Sequence, residues 1–380
     1  MSEVRVDPIH TVLVLGGYGF FGARISGALA RSPDVRVLIG GRDEAKALQQ
    51  AAAMGLPPDR AIGIDASANA LAQRLAAARV DTLIHTAGPF QGQDYRVAGA
   101  AIAARCNYID LADGRGFVSG IASLDAAARA AGVSVVSGAS SVPALSSAVV
   151  DRYRSAFETL ESIRIGIGSG GRAPGLATLR GVFGVFGYCG KPIRRWQNGA
   201  WVQTHGWLDP VRHRFPEPVG TRWLGSCDVP DLELFPTRYA PVRTVSFHAG
   251  FASRIGHFAV WLGARLVKAG VISSLAPFAG ALHRLSGWIE PLLSDQGGMF
   301  IELSGIGRDS RPLTKCWSLV AAQNHGPHIP CGASIALARK LAAGVALPRG
   351  AYPCVGLLSV DEYLAPLSEL DIREVTPEQA

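Results

Sequence analysis

Paired cysteines, dense charge and basic clusters are all scarce in this chain. Only 18% of its residues are charged, and its six cysteines stand far apart with no Cys-x-x-Cys pair. This spacing indicates neither a zinc site nor a redox dithiol, and it is typical of reduced thiols in a cytoplasmic protein. The net charge of +7 is spread over single Lys and Arg residues, without a helix-turn-helix, zinc-finger or RNP pattern. Nucleic-acid binding is therefore not expected.

Long apolar runs are also missing. The most apolar stretch, Phe258–Ile289, is interrupted by Arg265, Lys268, His283 and Arg284. No window of about 18 apolar residues remains, so the sequence predicts no integral membrane span. Helices packed into a core are the favoured interpretation of this stretch, and a helix lying on a membrane surface is the alternative.

Apolar strands alternate with helical segments through the first 150 residues. A β-branched run at Thr11–Leu15 stops at glycine, and similar runs recur as far as Val133–Ser137, each separated from the next by a segment of helical composition. This rhythm predicts right-handed βαβ crossovers and an α/β fold with a doubly wound parallel sheet of the Rossmann type.

The pattern changes after residue 150. Ser162–Gly168 alternates like a half-buried strand, Asn198-Gly199 is a hairpin signal, and helical composition returns between Gly256 and Leu293. We therefore expect a Rossmann dinucleotide-binding domain at 1–150 and an α+β substrate or dimerisation domain with a largely antiparallel sheet at 151–330. A C-terminal helical segment at 331–380 is expected to pack back on the first domain.

The first strand runs into a glycine-rich loop, Leu15–Gly22, that reads LGGYGFFG. Gly17, Gly19 and Gly22 have the G-x-G-x-x-G spacing between a strand and a helix, which predicts a pyrophosphate site on backbone amides. We expect Gly17 to permit the tight turn and Gly22 to let the helix approach the sheet. A purely structural turn is the alternative. The predicted cofactor contacts are Gly16, Gly17, Tyr18, Gly19, Phe20, Phe21 and Gly22.

The second strand ends in Gly40-Gly41-Arg42. The small glycines leave room for a 2′-phosphate and Arg42 offers a guanidinium to bind it, so NADP is favoured over NAD. Asp43 would hold an NAD ribose in the alternative, but it suits a helix cap better. Asp65, after the third strand, either contacts the adenine edge or caps a helix.

The fourth strand is followed by Thr86-Ala87-Gly88-Pro89-Phe90. Ligands of doubly wound sheets lie beyond the carboxyl ends of the strands, so Thr86, Ala87, Gly88 and Phe90 are expected near the nicotinamide. An ordinary Gly-Pro turn is the alternative.

Four segments, VLVLGGYGFFG, HTAGPFQGQDYRVA, NYIDLADGRGF and SGASSVPALSSAVVD, together resemble the saccharopine dehydrogenase-like family of NADP-dependent oxidoreductases. The resemblance implies a Rossmann domain, a second α+β domain that carries the substrate face, and hydride transfer between NADP(H) and an imine or secondary amine. Saccharopine reductases have a segment like G-L-D-P-G-I-D-H where this chain has Gly138–Ser147, without Asp or His. A lysine-pathway substrate is therefore not expected.

Catalytic candidates follow the fifth predicted strand. Asp110 and Asp113 are candidate proton donors and Arg115 a candidate clamp for a substrate carboxylate, with turn capping as the alternative for both aspartates. His325 and His328 stand in a Pro-containing loop as weaker candidates for acid or ligand, and no metal site is predicted.

Three functions remain open. The first is an NADP-dependent oxidoreductase that acts on a small molecule, with a homodimer possible through an exposed sheet face. The second is a non-catalytic NADP-binding sensor or membrane-associated module. The third, an alcohol or ketone oxidoreductase of short-chain type, is disfavoured because no tyrosine has a lysine four residues later.

Overall fold

A computed structural model describes residues 9–170, 187–278, 280, 284 and 294–375. In that part of the chain, seven parallel strands form the first sheet, in the order β15-β6-β5-β4-β1-β2-β3. Its strands are β1 His10–Leu15, β2 Val35–Gly41, β3 Ala61–Gly63, β4 Thr82–His85, β5 Asn107–Asp110, β6 Ser134–Ser137 and β15 Gly350–Pro353. The order from β6 to β3 is that of a Rossmann sheet, and the predicted fold class is confirmed.

Helices cover both faces of this sheet because each crossover between parallel strands returns over one face. They are α1 Gly22–Ala30, α2 Glu44–Ala53, α3 Leu71–Ala77, α4 Arg96–Ala103, α5 Arg115–Gly120 and α6 Asp125–Ala131. Asp43 caps α2 as predicted, and its carboxylate accepts a hydrogen bond from the Lys46 amide at 3.1 Å. A further helix, α7 Ser146–Arg154, leads from β6 to the second sheet.

The second sheet has nine strands within the described residues and is mostly antiparallel, with one parallel pair between β7 and β12. They are β7 Phe157–Gly168, β8 Pro192–Gln197, β9 Ala200–His205, β10 Val211–Arg214, β11 Thr221–Ser226, β12 Thr244–Gly250, β13 Gly297–Gly307, β14 Pro312–Ala321 and β16 Ile372–Val375. The β8–β9 hairpin turns at Asn198-Gly199, as the sequence predicts. Two helices, α8 Asp231–Arg238 and α9 Arg254–Lys268, accompany this sheet.

Part of the helical composition predicted between Gly256 and Leu293 falls outside the described residues. This applies to residues 279, 281–283 and 285–293, whereas α9 lies within the described part.

The C-terminal segment is not only helical, which corrects that part of the prediction. Its helix α10, Gly332–Ala342, lies against α1, where the Arg339 guanidinium donates to the Ala28 carbonyl at 3.1 Å. The strands β15 and β16 then join the first and the second sheet respectively. A short helix, α11 Val360–Leu364, lies between them. The two sheets are therefore connected by the last segment of the chain as well as by α7.

Candidate active site

The glycine loop has one residue in the left-handed region of backbone conformation. That residue is Gly16, with φ of +85°, and not Gly17, to which we assigned the tight turn. A Cβ on Gly17 would still lie 2.8 Å from the Val14 carbonyl oxygen, so Gly17 is needed for close packing. A Cβ on Gly22 would lie 2.1 Å from the Gly16 carbonyl oxygen, which agrees with the predicted close approach of α1. At Gly17 and Gly22, a side chain is thus excluded by contact with the backbone of the first strand and of the loop.

The N-terminus of α1 is available to an anion. Phe21 precedes the helix, and no side chain caps its amides. The loop is fixed from beneath because the amides of Gly16 and Gly17 donate to the Gly40 carbonyl at 2.8 and 3.0 Å. A rigid backbone loop at an uncapped helix start is the geometry that binds a dinucleotide pyrophosphate.

The loop after β2 borders the same site. The Tyr18 hydroxyl accepts a hydrogen bond from the Asp43 amide at 3.1 Å, and a Cβ on Gly41 would collide with the Tyr18 ring. Arg42 is exposed, and within the described residues no ion pair engages its guanidinium. The Asp65 carboxylate accepts hydrogen bonds from the amide and the hydroxyl of Ser67, so it caps a turn. Arg42 therefore remains accessible at the ribose end.

The loop after β4 is held against the first strand. The Thr86 hydroxyl donates to the Leu15 carbonyl at 2.9 Å, and the Gln93 side-chain amide donates to the carbonyls of Ala87 and Pro89. Phe90 is buried, with its ring 5.1 Å from that of His85. The loop is therefore positioned beside the glycine loop.

A cavity of about 380 Å³ opens between the two sheets, and we call it the interdomain cavity. From the first domain it is lined by Phe20, Phe21, Thr86, Gly88, Phe90 and Asp113, six of the residues predicted for the site. From the second domain it is lined by Ile167, Trp207, Val229, Phe247, Phe251 and Met299. No local sequence pattern marks these second-domain residues, because they meet only in the folded chain, three of them (Ile167, Phe247 and Met299) through the register of β7, β12 and β13. In that register Ile167 pairs with Ala249 on one side and with Met299 on the other.

The two candidate aspartates differ in their surroundings. Asp113 lines the interdomain cavity, and its carboxylate accepts a hydrogen bond from the Gln91 side-chain amide at 3.1 Å. Burial raises the pKa of Asp113 above its usual value. None of the described residues forms an ion pair with this carboxylate. Asp113 is thus a carboxyl group on the cavity wall whose pKa is raised by burial.

Asp110 is fully buried and is not among the described residues that line the cavity. One carboxylate oxygen accepts hydrogen bonds from the Ala112 and Gly138 amides at 2.9 and 2.8 Å and from the Ser137 hydroxyl at 3.0 Å. Burial raises the pKa of Asp110 to about 6, while these donors oppose the shift. These contacts join the ends of β5 and β6, which is a structural role.

The sequence interpretation overlooked His85, although it begins the quoted segment HTAGPFQGQDYRVA. Its ring is buried at the end of β4, with Nδ1 3.0 Å from the Tyr108 hydroxyl. Burial lowers the pKa of His85 to about 4, so the ring is neutral at physiological pH. His85 supports the cavity wall through Phe90.

Arg115 points away from the cavity and joins the two domains. Its guanidinium donates to Asp228 at 3.0 Å, to Glu233 at 2.6 Å and to the Arg194 carbonyl at 2.7 Å. The side chain is only 9% exposed. The N–H groups of Arg115 that could bind a substrate carboxylate are already hydrogen-bonded to these second-domain acceptors. The structure therefore places Arg115 in a contact between the two domains.

The loop that contains His325 and His328 borders the cavity through Asn324, Gly326 and Pro327. Neither histidine is among the described lining residues, and His325 accepts a hydrogen bond from the Asp371 amide at 2.9 Å. Over the described ranges, His, Cys, Asp and Glu form no group suited to a metal ion. The same ranges contain no helix with the length and hydrophobicity needed to span a bilayer.

Solved structures share the fold over nearly the whole chain. Saccharopine dehydrogenase (L-Glu forming) from Saccharomyces cerevisiae superposes with a TM-score of 0.69 at 15% identity, covering 97% of this chain and all of that one. GenD2 from gentamicin A biosynthesis, in complex with NAD, has a TM-score of 0.45 at 16% identity, over 100% and 99% of the two chains. Amine dehydrogenase from Mycobacterium smegmatis has a TM-score of 0.46 at 11% identity, over 94% and 96%.

No curated protein sequence matches the chain. A family model, described as the saccharopine dehydrogenase NADP binding domain, matches residues 12–136. This range contains the glycine loop, Arg42, the loop after β4 and Asp113, and the match confirms the resemblance drawn from the sequence. Residues 12–136 of this chain are therefore similar to the saccharopine dehydrogenase NADP binding domain.

Proposed function

We propose that this protein is an NADP(H)-dependent oxidoreductase that interconverts an imine and a secondary amine. The observation that carries the proposal is the continuity of the two binding regions. Phe20 and Phe21 belong to the glycine loop and also line the interdomain cavity, together with Thr86. A dinucleotide bound along this loop would therefore end at the cavity, where a substrate has access to it.

The reaction needs a hydride and a proton. When bound, the reduced dinucleotide supplies a hydride, which is a proton with two electrons, to the imine carbon. Asp113 gives its carboxyl proton to the imine nitrogen, and the carboxylate that remains stabilises the iminium beside it until the amine forms. The raised pKa of Asp113 supports this role, because a buried carboxyl group keeps its proton closer to neutral pH.

NADP is proposed over NAD because of Arg42. Its exposed guanidinium lies beyond the end of β2, and Asp43 is already used as the cap of α2. A 2′-phosphate at this position would accept charge-assisted hydrogen bonds from Arg42. The 2′-hydroxyl of NAD would accept only weaker hydrogen bonds from the same guanidinium.

Turnover of NADPH with mixtures of amines and carbonyl compounds tests the proposal. We expect oxidation of NADPH at 340 nm with at least one mixture, and Asp113→Asn should lower kcat by about 100-fold or more. Asp59→Asn is the control, since Asp59 is an exposed aspartate outside the described cavity lining, and it should leave kcat unchanged. The affinity for NADPH should stay within twofold in both variants.

Two results would count against the proposal. NADPH binding without turnover over a broad panel would favour the sensor function. An unchanged kcat in Asp113→Asn would remove Asp113 from the chemistry and return it to the role of a turn residue.

The same proposal carries expectations about the surroundings of the protein. All six cysteines are free thiols, which supports a reducing, cytoplasmic compartment. A homodimer through the second domain is the proposed assembly, and light scattering on the purified protein measures it directly.

A further inference from the structure

The interdomain cavity has an unusual balance of charge for a site that handles amino acids. Among its described lining residues there is no Lys, Arg or His, and the charged ones are Asp113 and Asp295. A substrate carboxylate against these described walls would lose water and meet negative charge, without a guanidinium or ammonium from them to bind it. The one arginine that the sequence offered for this task, Arg115, is held by Asp228 and Glu233.

The opposite wall is apolar over several strands. Val229, Phe247 and Met299 are buried hydrophobic side chains that line it. Trp207 stacks on Phe251 with ring centroids 4.9 Å apart and an angle of 9° between the rings, which makes a flat aromatic surface. The transfer of a hydrocarbon group from water to such a wall is favourable, by roughly 25 cal/mol for each Å² of apolar surface that is buried.

Among the described polar residues on the first-domain side of the cavity, which include Thr86, Gln91, Ser140 and Ser141, Asp113 alone carries a charge. The Asp113 carboxylate receives a hydrogen bond from Gln91, and no described cation pairs with it. A carboxylate in these surroundings binds an ammonium or iminium group more strongly than it would in water.

We infer that the substrate of this cavity is a largely apolar amine or imine that carries no carboxylate. Its nitrogen lies beside Asp113, and its hydrocarbon part lies against Val229, Phe247 and Met299. The inference rests on the proposed function and narrows its substrate to a class that excludes amino acids.

Matched pairs of ligands test the inference in binding, separately from turnover. Calorimetry in the presence of NADP⁺ compares 2-phenylethylamine with phenylalanine, and 3-methylbutylamine with leucine, because each pair differs only by a carboxylate. We expect each amine to bind at least tenfold more tightly than its amino acid. Asp113→Asn should reduce this advantage to threefold or less, and the surface variant Asp59→Asn should leave it unchanged.

The outcomes separate this inference from the proposed function. Equal or tighter binding of the amino acids, or no binding of either class at millimolar concentration, overturns the inference. Turnover of NADPH with phenylpyruvate and an amine would then still support the proposed function. Conversely, a clear preference for amines without any turnover supports the substrate class and overturns the proposed function.

A second surface, on α9, carries an inference of its own. This helix presents large apolar side chains to solvent: Ile255 is 86% and Leu262 55% exposed, and Phe258 and Leu266 lie on the same face. Arg254, Arg265 and Lys268 are exposed on the same helix. We call this set of seven residues the α9 face.

Along the sequence, the charged residues of α9 and of the segments on either side of it have one sign. The sequence contains no Asp or Glu between Glu233 and Glu290. A basic helix with an exposed apolar stripe is the pattern that lies in the interface of an anionic bilayer, where apolar side chains enter the acyl boundary and cations pair with headgroups. A second copy of the chain would bring the same positive charges together, which disfavours pairing through this face.

We propose that the α9 face docks on a membrane surface rich in anionic lipid. Co-sedimentation with vesicles of phosphatidylcholine alone, or with phosphatidylserine added, is the test. We expect binding to the anionic vesicles that weakens as salt increases. Leu262→Gln combined with Ile255→Gln should reduce bound protein at least fivefold, whereas Leu48→Gln, at an exposed site on α2, should not.

Two results overturn the docking proposal. One is the absence of binding to anionic vesicles at low salt. The other is a concentration-dependent dimer that the double variant dissociates, since this would show that a second copy occupies the α9 face.

Discussion

The glycine loop and the second-domain wall of the interdomain cavity differ in the groups that they present to the space between them. The loop offers backbone amides, and all its residues come from one continuous segment, Leu15–Gly22. The wall offers side chains from strands far apart in the chain, and Ile167, Phe247 and Met299 meet only through the register of β7, β12 and β13. The shape of the glycine loop is therefore determined by steric contacts between residues close in sequence. The shape of the second-domain wall is determined by the packing of strands far apart in the chain.

The strongest test of this difference is a methyl group added to the loop. In Gly22→Ala the new Cβ would meet the Gly16 carbonyl oxygen at 2.1 Å, so the loop has to open. We expect the Kd for NADPH to rise by more than about 100-fold, equivalent to about 2.7 kcal/mol. Fluorescence titration measures it.

Gly27→Ala is the matched control on the same helix. A Cβ there would lie 3.6 Å from the Met54 side chain, which is ordinary contact, and alanine favours helix. This variant should bind NADPH normally and unfold at a slightly higher temperature. Unchanged affinity in Gly22→Ala would contradict the assignment of the loop.

The second test acts on the contact between the domains. Arg115→Ala leaves Asp228 and Glu233 without their nearest cation. Because the guanidinium is nearly buried, we expect the free energy of unfolding to fall by about 2–3 kcal/mol in a denaturant titration. NADPH affinity should change by less than threefold, since none of the residues that hold Arg115 belongs to the glycine loop.

Arg194→Ala serves as its control. Arg194 is exposed and lies 4.0 Å from Glu233, so its loss should cost less than about 0.5 kcal/mol. If Arg115→Ala instead weakened only the binding of carboxylate ligands at unchanged stability, the role predicted from the sequence would be restored.

The third test uses pH at a buried carboxyl of the second domain. The Ser146 hydroxyl donates to Asp231, and burial raises the pKa of Asp231 to about 7. Because the pKa of Asp231 is higher in the folded than in the unfolded state, the stability of the folded protein is fully present below about pH 4. It is lost as the pH rises towards 7, since in this range the carboxyl group ionises in the unfolded chain but stays protonated in the folded protein. Asp231→Asn should therefore gain stability over the wild type by about 1.4 kcal/mol for each pH unit in this window.

Thermal or denaturant unfolding from pH 4 to 8 measures this difference. Asp59→Asn, at an exposed carboxylate, should show a flat difference over the same range. A flat difference for Asp231→Asn as well would mean that its carboxyl is hydrated in the folded protein.

The smallest expected effect concerns cofactor choice. Arg42→Ala removes the exposed guanidinium at the ribose end, and we expect the affinity for NADPH to fall by about tenfold, which is about 1.4 kcal/mol. The affinity for NADH should stay unchanged. Equal affinities of the wild type for NADPH and NADH would contradict the proposed role of Arg42.

The same contrast explains how far the sequence could be interpreted. The Rossmann fold, the glycine loop and the Asn198-Gly199 hairpin follow from short-range patterns, and the structure confirms them. The turn residue was assigned to Gly17 instead of Gly16, because the glycine spacing does not specify backbone angles. Within the described residues, β15 joins the first sheet from far along the chain, and its short run gave no sign of a partner.

The candidates after β5 show the limit most clearly. The sequence places Asp113 and Arg115 after the fifth strand, as in the structure, whereas Asp110 is the last residue of that strand. The sequence cannot supply the partners that divide the roles of the three residues. Ser137 and Gly138 engage Asp110, whereas Arg115 meets residues more than a hundred positions away in the chain. Asp113 contacts neither the partners of Asp110 nor those of Arg115, and it faces the cavity.

We propose that one dinucleotide binds along the glycine loop and extends into the interdomain cavity. A crystal structure with NADP⁺ would show where the cofactor binds. We expect the pyrophosphate at the N-terminus of α1, the 2′-phosphate within reach of Arg42, and the nicotinamide beside Phe20 and Thr86 with its C4 facing Asp113. A dinucleotide bound elsewhere, or a nicotinamide ring outside the cavity, would contradict it.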